Sequence, residues 1–248
     1  MLNVAAARKE LVAALHRHGK KGGDAWLQHY VGSPYPVLGI STPQMRAIQA
    51  AFAKAHPDLT AKEVNALAAA VRKGPTTEEK WLAVGLLDRH AKILDEASWR
   101  LLDGFVDDSV GWGLCDGLGS GPVSAMVRAK PARFRKLMRW ARSPNPWRRR
   151  VALYALNGFV RAKELDKPFQ LIERLVYDEE FWVRRAVGTW LRECWKVDRT
   201  RTEAFLREHA AGLPPIVITV ATERAPKAFR EHLRRLAKVS RTPRRRVH

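Results

Sequence analysis

Apolar side chains recur every three or four residues along most of this sequence. Val4, Leu11 and Leu15 follow the spacing near the start of the chain, and Val84 and Leu87 follow it later. Residues at this spacing lie on one face of an α-helix, so the pattern predicts helices. Strand-like alternation is almost absent. The exception is 214–222, whose β-branched residues would suit a strand but which we interpret as helix. The chain is therefore predicted to be all-α.

The helices look repetitive, because three tryptophans are evenly spaced. Trp112, Trp147 and Trp182 follow one another at intervals of 35 residues, and the last two open the related phrases PWRRRVALYAL and FWVRRAVGTWL. A period in the thirties with two helices per unit is typical of an α-solenoid, in which each helix pair buries its apolar face against the next pair. A chance spacing in a chain with nine tryptophans is the alternative.

No internal linker interrupts this pattern, although short Gly- and Pro-containing turns separate the helices. We therefore interpret residues 1–238 as a single curved α-solenoid domain. The last residues, 239–248, read VSRTPRRRVH and lack an apolar face. They are predicted to be a flexible basic tail.

The charge balance points to a polyanionic partner. Lys and Arg number 45 against 25 Asp and Glu, a net charge of +20, which exceeds what solubility requires. Nucleic acid and an acidic membrane surface both qualify, but no apolar run approaches the roughly 20 residues needed to span a bilayer. The N-terminus lacks a signal-peptide core, and Cys115 and Cys194 match no disulfide or zinc spacing. We expect a cytoplasmic protein, of bacterial type and associated with the nucleoid.

The phrase SPNPWRRRVALYAL contains a helix start. Asn145 can cap the helix and Pro146 fits its first position. Arg148, Arg149 and Arg150 then crowd the first turn, where the helix dipole disfavours cations, so an anion is expected to share the site. A phosphate is the favoured interpretation, because backbone N–H groups and guanidinium groups can bind the same oxygens. A solvated basic face is the alternative.

A second helix, predicted within 177–194, combines aromatic and basic residues. It contains Phe181, Trp182 and Trp190, with Arg184 and Arg185 among them. Aromatic rings interleaved with arginines are expected where a protein contacts both phosphates and bases. For any single ring, a place in the core is the more common outcome.

The stretch GWGLCDGLGSG, 111–121, places one carboxylate among small and apolar residues. Trp112 and Asp116 are four residues apart, so in a helix they share a face one turn apart. A carboxylate beside an indole is partly desolvated, which is unfavourable unless a cation compensates. That cation could be a ligand; alternatively Asp116 pairs with an arginine of the protein or caps a helix.

Other chemistry is weakly signalled. The sequence contains no Walker A loop, dinucleotide fingerprint, HExxH motif or nucleophile elbow. His16 and His18 could form part of a metal site, but two histidines on a basic helix are more often solvated. We predict neither a metal nor a cofactor.

Several phrases together resemble the AlkD family of alkylpurine DNA glycosylases, which are all-helical proteins built of HEAT-like repeats. They are YVGSPYPVLGISTPQMRAI at 30–48, WGLCD, PWRRRVALYAL and EEFWVRRAVGTWLRE, in the family's order and at about its spacing. The resemblance covers about residues 5–235. It implies hydrolysis of the N-glycosidic bond of cationic alkylated purines, such as N3-methyladenine and N7-methylguanine, in duplex DNA, without a pocket that encloses the base.

The resemblance also implies roles for individual residues. Asp116 matches the family's catalytic carboxylate and Trp112 its partner aromatic. Arg150 matches an arginine near the lesion, Tyr30 a DNA-facing tyrosine, and Thr42 and Arg46 the residues that grip the backbone.

One position departs from the family. Where the family typically reads Gly-Trp, this chain has Gly188 and Thr189, and its tryptophan is the next residue, Trp190. One residue is about 100° around a helix, so Trp190 is expected to point into the core and Thr189 to form a smaller, polar wall of the site.

We therefore predict a monomeric DNA glycosylase for base excision repair that binds duplex DNA on a basic concave face. Two alternatives stay open: a relative that binds damaged or branched DNA without catalysis, and an α-solenoid scaffold for protein interactions.

Overall fold

The computed structural model describes residues 1–239 of the chain. Throughout those residues the regular structure is helical and contains no strand, which confirms the all-α prediction. The stretch with β-branched residues is helical as well, since Pro215–Ala221 forms a helix. No helix of the described part is long and apolar enough to cross a membrane. Residues 240–248, most of the predicted tail, lie outside the described residues.

The first of two compact units comprises Met1–Arg133. Its helices are α1 (Val4–His18), α2 (Ala25–Val31), α3 (Thr42–Ala55), α4 (Ala61–Arg72), α5 (Thr77–Arg89), α6 (Glu96–Asp107), α7 (Trp112–Leu118) and α8 (Ser124–Ala129). Helix α4 packs against α1, α5 and α6. Its Leu67 is fully buried together with Leu11, Leu82 and Leu102 of those three helices. Each helix thus buries its apolar face against its neighbours, as helical repeats do.

A buried carboxylate fixes the loop that precedes α3. Glu78, near the start of α5, is fully buried. Its Oε2 accepts the backbone N–H of Leu38 at 2.9 Å, and its Oε1 accepts those of Gly39 at 2.9 Å and Ile40 at 3.4 Å. These bonds satisfy three donors of the LGI phrase and place Ser41, the N-cap of α3, at the entrance to that helix.

The second unit begins at Phe134. Its helices are α9 (Phe134–Trp140), α10 (Pro146–Tyr154), α11 (Asn157–Arg161), α12 (Asp166–Leu175), α13 (Phe181–Val197), α14 (Arg199–His209), α15 (Pro215–Ala221) and α16 (Lys227–Val239). Helix α13 packs against α10, α12, α14 and α15. A Cβ at Gly188 would lie 2.7 Å from the Cβ of Val220, so the glycine of the AVGTW phrase allows α15 to approach α13 closely.

Helix α10 begins where the sequence predicts. Asn145 is its N-cap and Pro146 its first residue, and the Asn145 Oδ1 accepts the backbone N–H of Trp147 at 2.9 Å. The single-domain interpretation of residues 1–238 stays a prediction, since each compact unit has its own core.

Candidate functional site

Trp112 and Asp116 lie on α7, as the sequence predicts. The helix begins at Trp112, and the two side chains are one turn apart. The residue before it, Gly111, has a φ of +88° and lies so close to Gly32 that a Cβ would come within 2.5 Å of the Gly32 carbonyl oxygen. Only glycine fits there. Asp116 is half-buried.

Three aromatic rings form an array beside this helix. The Trp112 Nε1–H donates to the backbone carbonyl of Tyr30 at 2.6 Å, and the two rings are perpendicular with centroids 5.1 Å apart. Trp26 stacks on Tyr30, with ring centroids 5.1 Å apart and an angle of 7° between the ring planes. Trp26 is 71% exposed and Tyr30 53% exposed. The sequence analysis overlooked Trp26, although it lies one helical turn before Tyr30.

A cavity of about 500 Å³ lies next to the array, within the first unit. It is lined by residues from α2, α3, α5 and α7 together with the end of the loop before α3. Four predicted site residues are among them: Tyr30, Thr42, Arg46 and Trp112. The cavity itself was not predicted, because its walls come from helices far apart in the sequence.

The cavity also contains three polar residues that sequence reasoning missed. They are Gln49 of α3 and Trp81 and Asp88 of α5. Gln49 is only 9% exposed. Asp88 stays accessible to solvent, yet desolvation by its surroundings raises the pKa of its carboxyl above the usual value, against the opposing charge of Arg89. Helical spacing could have indicated all three residues, because each lies on the same helical face as other residues that line the cavity.

In the second unit, a carboxylate compensates one of the three arginines at the start of α10. Arg149 donates from Nε to Asp178 Oδ2 at 2.7 Å and from Nη2 to Asp178 Oδ1 at 3.0 Å. Both side chains are mostly buried. The anion expected near this helix start is therefore, for Arg149, a side chain of the protein. Contact between Arg149 and a DNA phosphate stays a prediction.

Arg150 is only 4% exposed. Its guanidinium donates to the hydroxyl of Tyr154 at 3.2 Å and to the backbone carbonyl of Trp182. It also lies over both rings, 4.9 Å from the Tyr154 centroid and 5.9 Å from that of Trp182. The neighbouring Arg148 lies over the Trp140 ring at 5.2 Å. These contacts fix both arginines; their roles toward DNA stay predictions.

The two repeat tryptophans of this unit contact each other. Trp147 and Trp182 stack at 6.5 Å and 29°, and Phe181, which is exposed, meets Trp182 edge-on at 5.1 Å. The Arg185 guanidinium lies 6.0 Å from the Trp182 ring. The interleaving of aromatic and basic residues at the start of α13 therefore forms a physical cluster.

Trp190 points into the core, which confirms the expectation drawn from its position. It is 5% exposed and meets Tyr154 edge-on at 5.6 Å. Its Nε1 is buried and has no hydrogen-bond partner within residues 1–239. Thr189 is half-buried and donates its hydroxyl to the Arg185 carbonyl at 3.0 Å. Its role as a wall of the site stays a prediction.

Over the described residues, no group of three His, Cys, Asp or Glu side chains is placed to hold a metal ion. Burial raises the pKa of the Cys194 thiol to about 12, which makes it a poor nucleophile.

Comparison with solved structures shows the same fold. A predicted DNA alkylation repair enzyme from Enterococcus faecalis is 19% identical, with a TM-score of 0.71 over 82% of this chain and 94% of that one. AlkD2 from Streptococcus mutans is 16% identical, with a TM-score of 0.64 over 87% of this chain and 98% of that one. No curated protein matches the chain.

The sequence model of one family, described as DNA alkylation repair enzyme, matches residues 11–225. That range takes in all of the predicted site residues, from Tyr30 to Trp190. Because it spans most of the 248 residues, the chain belongs to the DNA alkylation repair enzyme family, whose AlkD members it resembles in sequence.

Proposed function

We propose that the protein is a DNA glycosylase that hydrolyses the N-glycosidic bond of cationic alkylated purines, such as N3-methyladenine and N7-methylguanine, in duplex DNA. Family membership supports a role in the repair of alkylated DNA. The observation that carries the proposal is the face of α7, where Asp116 lies one turn from an indole that the Tyr30 carbonyl holds in place.

The reaction makes modest demands on a catalyst. The bond between C1′ and the purine nitrogen breaks, and its electron pair neutralises the positive charge of the base, so the base leaves without being protonated. The sugar becomes an oxocarbenium-like cation. Water adds to C1′ and loses a proton to solvent, which leaves an abasic site and a neutral base. The enzyme's task is to stabilise the sugar cation and position the water.

Asp116 is suited to the first task. A half-buried carboxylate is less screened than one in bulk water, so it stabilises a nearby cation more strongly. Trp112 supports it, because the face of an indole attracts a cationic nucleotide. The hydrogen bond to Tyr30 fixes the plane of that indole before DNA binds.

Binding of duplex DNA is proposed for the basic and aromatic residues, with the protein acting as a cofactor-free monomer in the cytoplasm and at the nucleoid. The phosphate contacts are assigned to Arg46 and Thr42 in the first unit and to the basic cluster of the second. The net charge of +20 supports this assignment. The proposed contact residues of the second unit are Arg148, Arg149, Arg150, Phe181, Trp182, Arg185 and Thr189. Trp190, which the sequence also offered as a contact residue, is buried in the core and is left out.

The decisive experiment removes the charge of Asp116 and keeps its shape. Asp116→Asn is expected to abolish release of N7-methylguanine from methylated duplex DNA, measured by chromatography of the freed base, while DNA affinity stays close to that of the wild type. Asp58→Asn, at an exposed carboxylate of the same unit, is the matched control. Wild-type rates from the Asp116 variant would overturn the mechanism.

A second candidate function is binding of damaged DNA without excision. Burial of Trp190 favours it, because the half-buried Thr189 then stands where the family typically has an aromatic ring. The same excision assay on the wild type separates the two functions.

A further inference from the structure

Helix α16 lies beyond the part of the chain that the family model matches. The match ends at residue 225, and α16 comprises Lys227–Val239. From residue 226 to residue 248 the sequence contains nine Lys or Arg residues and one Glu. This short segment therefore carries +8 of the chain's net charge of +20. The phosphate contacts proposed above involve none of its residues.

The apolar side of α16 is covered by the second unit itself. Phe229, Leu233 and Ala237 are buried, and because they recur every four residues they lie along one side of the helix. The helix packs against α15 and residues 210–212, and the Arg207 guanidinium of α14 lies 4.9 Å from the centre of the Phe229 ring. Amphipathic helices bind membranes through their apolar face, and in α16 that face is already occupied.

Arg230 fixes the first turns of the helix in place. Its Nη2 donates to the backbone carbonyl of Thr222 at 2.6 Å and to that of Glu223 at 3.1 Å, and its Nε donates to the Thr222 carbonyl at 3.2 Å. Thr222 is the C-cap of α15, so these bonds join the two helices. The exposed side of α16 is therefore positioned before any partner binds, which lowers the entropic cost of binding.

The exposed side of α16 is basic. Lys227, Arg234, Arg235 and Lys238 are all exposed, and we call these four residues the basic face of α16. Lys227, Arg234 and Lys238 are spaced by seven and four residues, so they form a row about 16 Å long on one side of the helix. Glu231 is the one acid of the helix, and it lies 3.8 Å from Lys227 in a solvent-exposed ion pair.

The protein does not compensate the charges of Arg234 and Arg235. None of the ion pairs or side-chain hydrogen bonds described for residues 1–239 involves either guanidinium. The helix dipole favours cations in the last turn, which contains Lys238, so it does not account for the two arginines before that turn. Like charges this close repel each other, and a bound polyanion would relieve that repulsion.

We propose that the basic face of α16 binds the phosphate backbone of duplex DNA, whether or not the duplex contains a lesion. The uncompensated charge favours a polyanion, the covered apolar side disfavours a lipid surface, and family membership favours DNA. A row of about 16 Å matches about five base pairs at 3.4 Å per step. Phosphate contacts carry no sequence information, so this surface adds affinity for DNA in general and acts independently of excision.

The test compares two double variants of the full-length protein. Arg234→Gln with Arg235→Gln removes two charges from the basic face of α16. Arg161→Gln with Arg174→Gln removes two charges from exposed arginines of α11 and α12 and is the matched control. The measurement is fluorescence anisotropy with an undamaged duplex over a salt series.

We expect the α16 variant to bind the undamaged duplex several-fold more weakly than the wild type. The slope of log K against log salt should fall by about 1.8, because two phosphate contacts are lost. The control variant should keep the wild-type slope. Equal slopes in the two double variants would overturn the proposal, since they would show that α16 has no effect beyond that of net charge.

Two other polyanions test the identity of the partner. Duplex RNA of the same length and vesicles that contain phosphatidylserine are titrated with the wild type and with the α16 variant. The two substitutions should weaken binding to duplex DNA more than binding to either alternative. A larger effect on RNA or on the vesicles would overturn the assignment to DNA.

A methylated duplex separates this proposal from the glycosylase function. The α16 variant should lose the same factor of affinity for methylated and unmethylated duplexes, and at saturating protein it should excise N7-methylguanine at the wild-type rate. A loss of affinity confined to methylated DNA would contradict a lesion-independent contact. If the wild type excises nothing, the proposed glycosylase fails, while the salt slopes still decide whether α16 binds DNA.

Discussion

The indole N–H of Trp112 donates to the backbone carbonyl of Tyr30 across 2.6 Å, and thereby links α7 to α2, 82 residues apart in sequence. This bond fixes the plane of the aromatic residue nearest to Asp116 along the helix. Trp112→Phe removes it and keeps a ring. We expect excision of N7-methylguanine to fall between about tenfold and about a hundredfold, the usual result of small misplacement near reacting atoms.

Single-turnover kinetics on a methylated duplex would measure the effect of Trp112→Phe. Trp195→Phe is the matched control, because the Trp195 Nε1 has no hydrogen-bond partner in the described part of the chain. If both variants excise at the wild-type rate, the bond to Tyr30 has no part in catalysis.

Arg46 is expected to act on DNA through charge alone. It is exposed, and none of the ion pairs described for residues 1–239 involves it. Arg46→Ala should therefore weaken binding to methylated and unmethylated duplexes equally and reduce the slope of log K against log salt by about 0.9. Fluorescence anisotropy over a salt series would measure this, with Lys9→Ala on the exposed face of α1 as the control. An unchanged slope would contradict a phosphate contact.

Glu78 is expected to hold the loop that leads into α3. A glutamine keeps one acceptor oxygen but replaces the other with an amide that cannot accept, so Glu78→Gln leaves at least one of the N–H groups of Leu38, Gly39 and Ile40 unsatisfied. We expect a loss of about 1–3 kcal/mol in the free energy of unfolding, measured by urea denaturation. Glu173→Gln, at an exposed carboxylate, should be neutral.

Asp88 should make stability depend on pH in a specific direction. Desolvation raises the pKa of its carboxyl above the usual 3.8, so the folded protein binds this proton more tightly than the unfolded chain does. Its contribution to stability is fully present below 3.8 and is lost as pH rises through the folded-state pKa. Asp88→Asn should therefore melt at a higher temperature than the wild type at neutral pH, and the difference should shrink in acid.

Thermal unfolding of the wild type and of Asp88→Asn, measured from acid to neutral pH, tests this prediction. A difference in melting temperature that does not change with pH would show that ionisation of Asp88 is not responsible.

Local patterns in the sequence predicted local structure well, but they did not predict contacts between residues that are far apart in the sequence. Helical spacing placed Trp112 and Asp116 on one face of α7, and cap chemistry placed Asn145 at the start of α10. The one-residue shift from the Gly-Trp pattern implied by the resemblance placed Trp190 in the core. The Arg149–Asp178 pair joins residues 29 apart and was not predicted; a phosphate was favoured in its place. A helical period shows which residues share a face but not which face of another helix they meet.

The cavity shows the same limit. Gln49 meets Gly85 because α3 and α5 pack together, and nothing in either helix alone predicts this contact. Glu78 likewise reads as an ordinary residue of the first turn of α5, although it binds backbone groups 38 to 40 residues earlier.

Thr189 stands where the resemblance to the AlkD family implies a tryptophan, and it offers a gain-of-function test. Its side chain is half-buried and bonded only to its own helix among the described contacts, so a larger ring can be introduced without removing a tertiary hydrogen bond.

If the aromatic wall limits catalysis, Thr189→Trp should increase the excision rate of N3-methyladenine, because a second indole face stabilises the cationic nucleotide. Thr219→Trp is the matched control, since Thr219 makes the same bond to the carbonyl four residues earlier. A slower or unchanged rate in Thr189→Trp would mean that the smaller residue is part of a site adapted to other lesions. Excision from duplexes with larger alkyl groups would then show whether Thr189 forms a wall of the site or leaves space for the lesion.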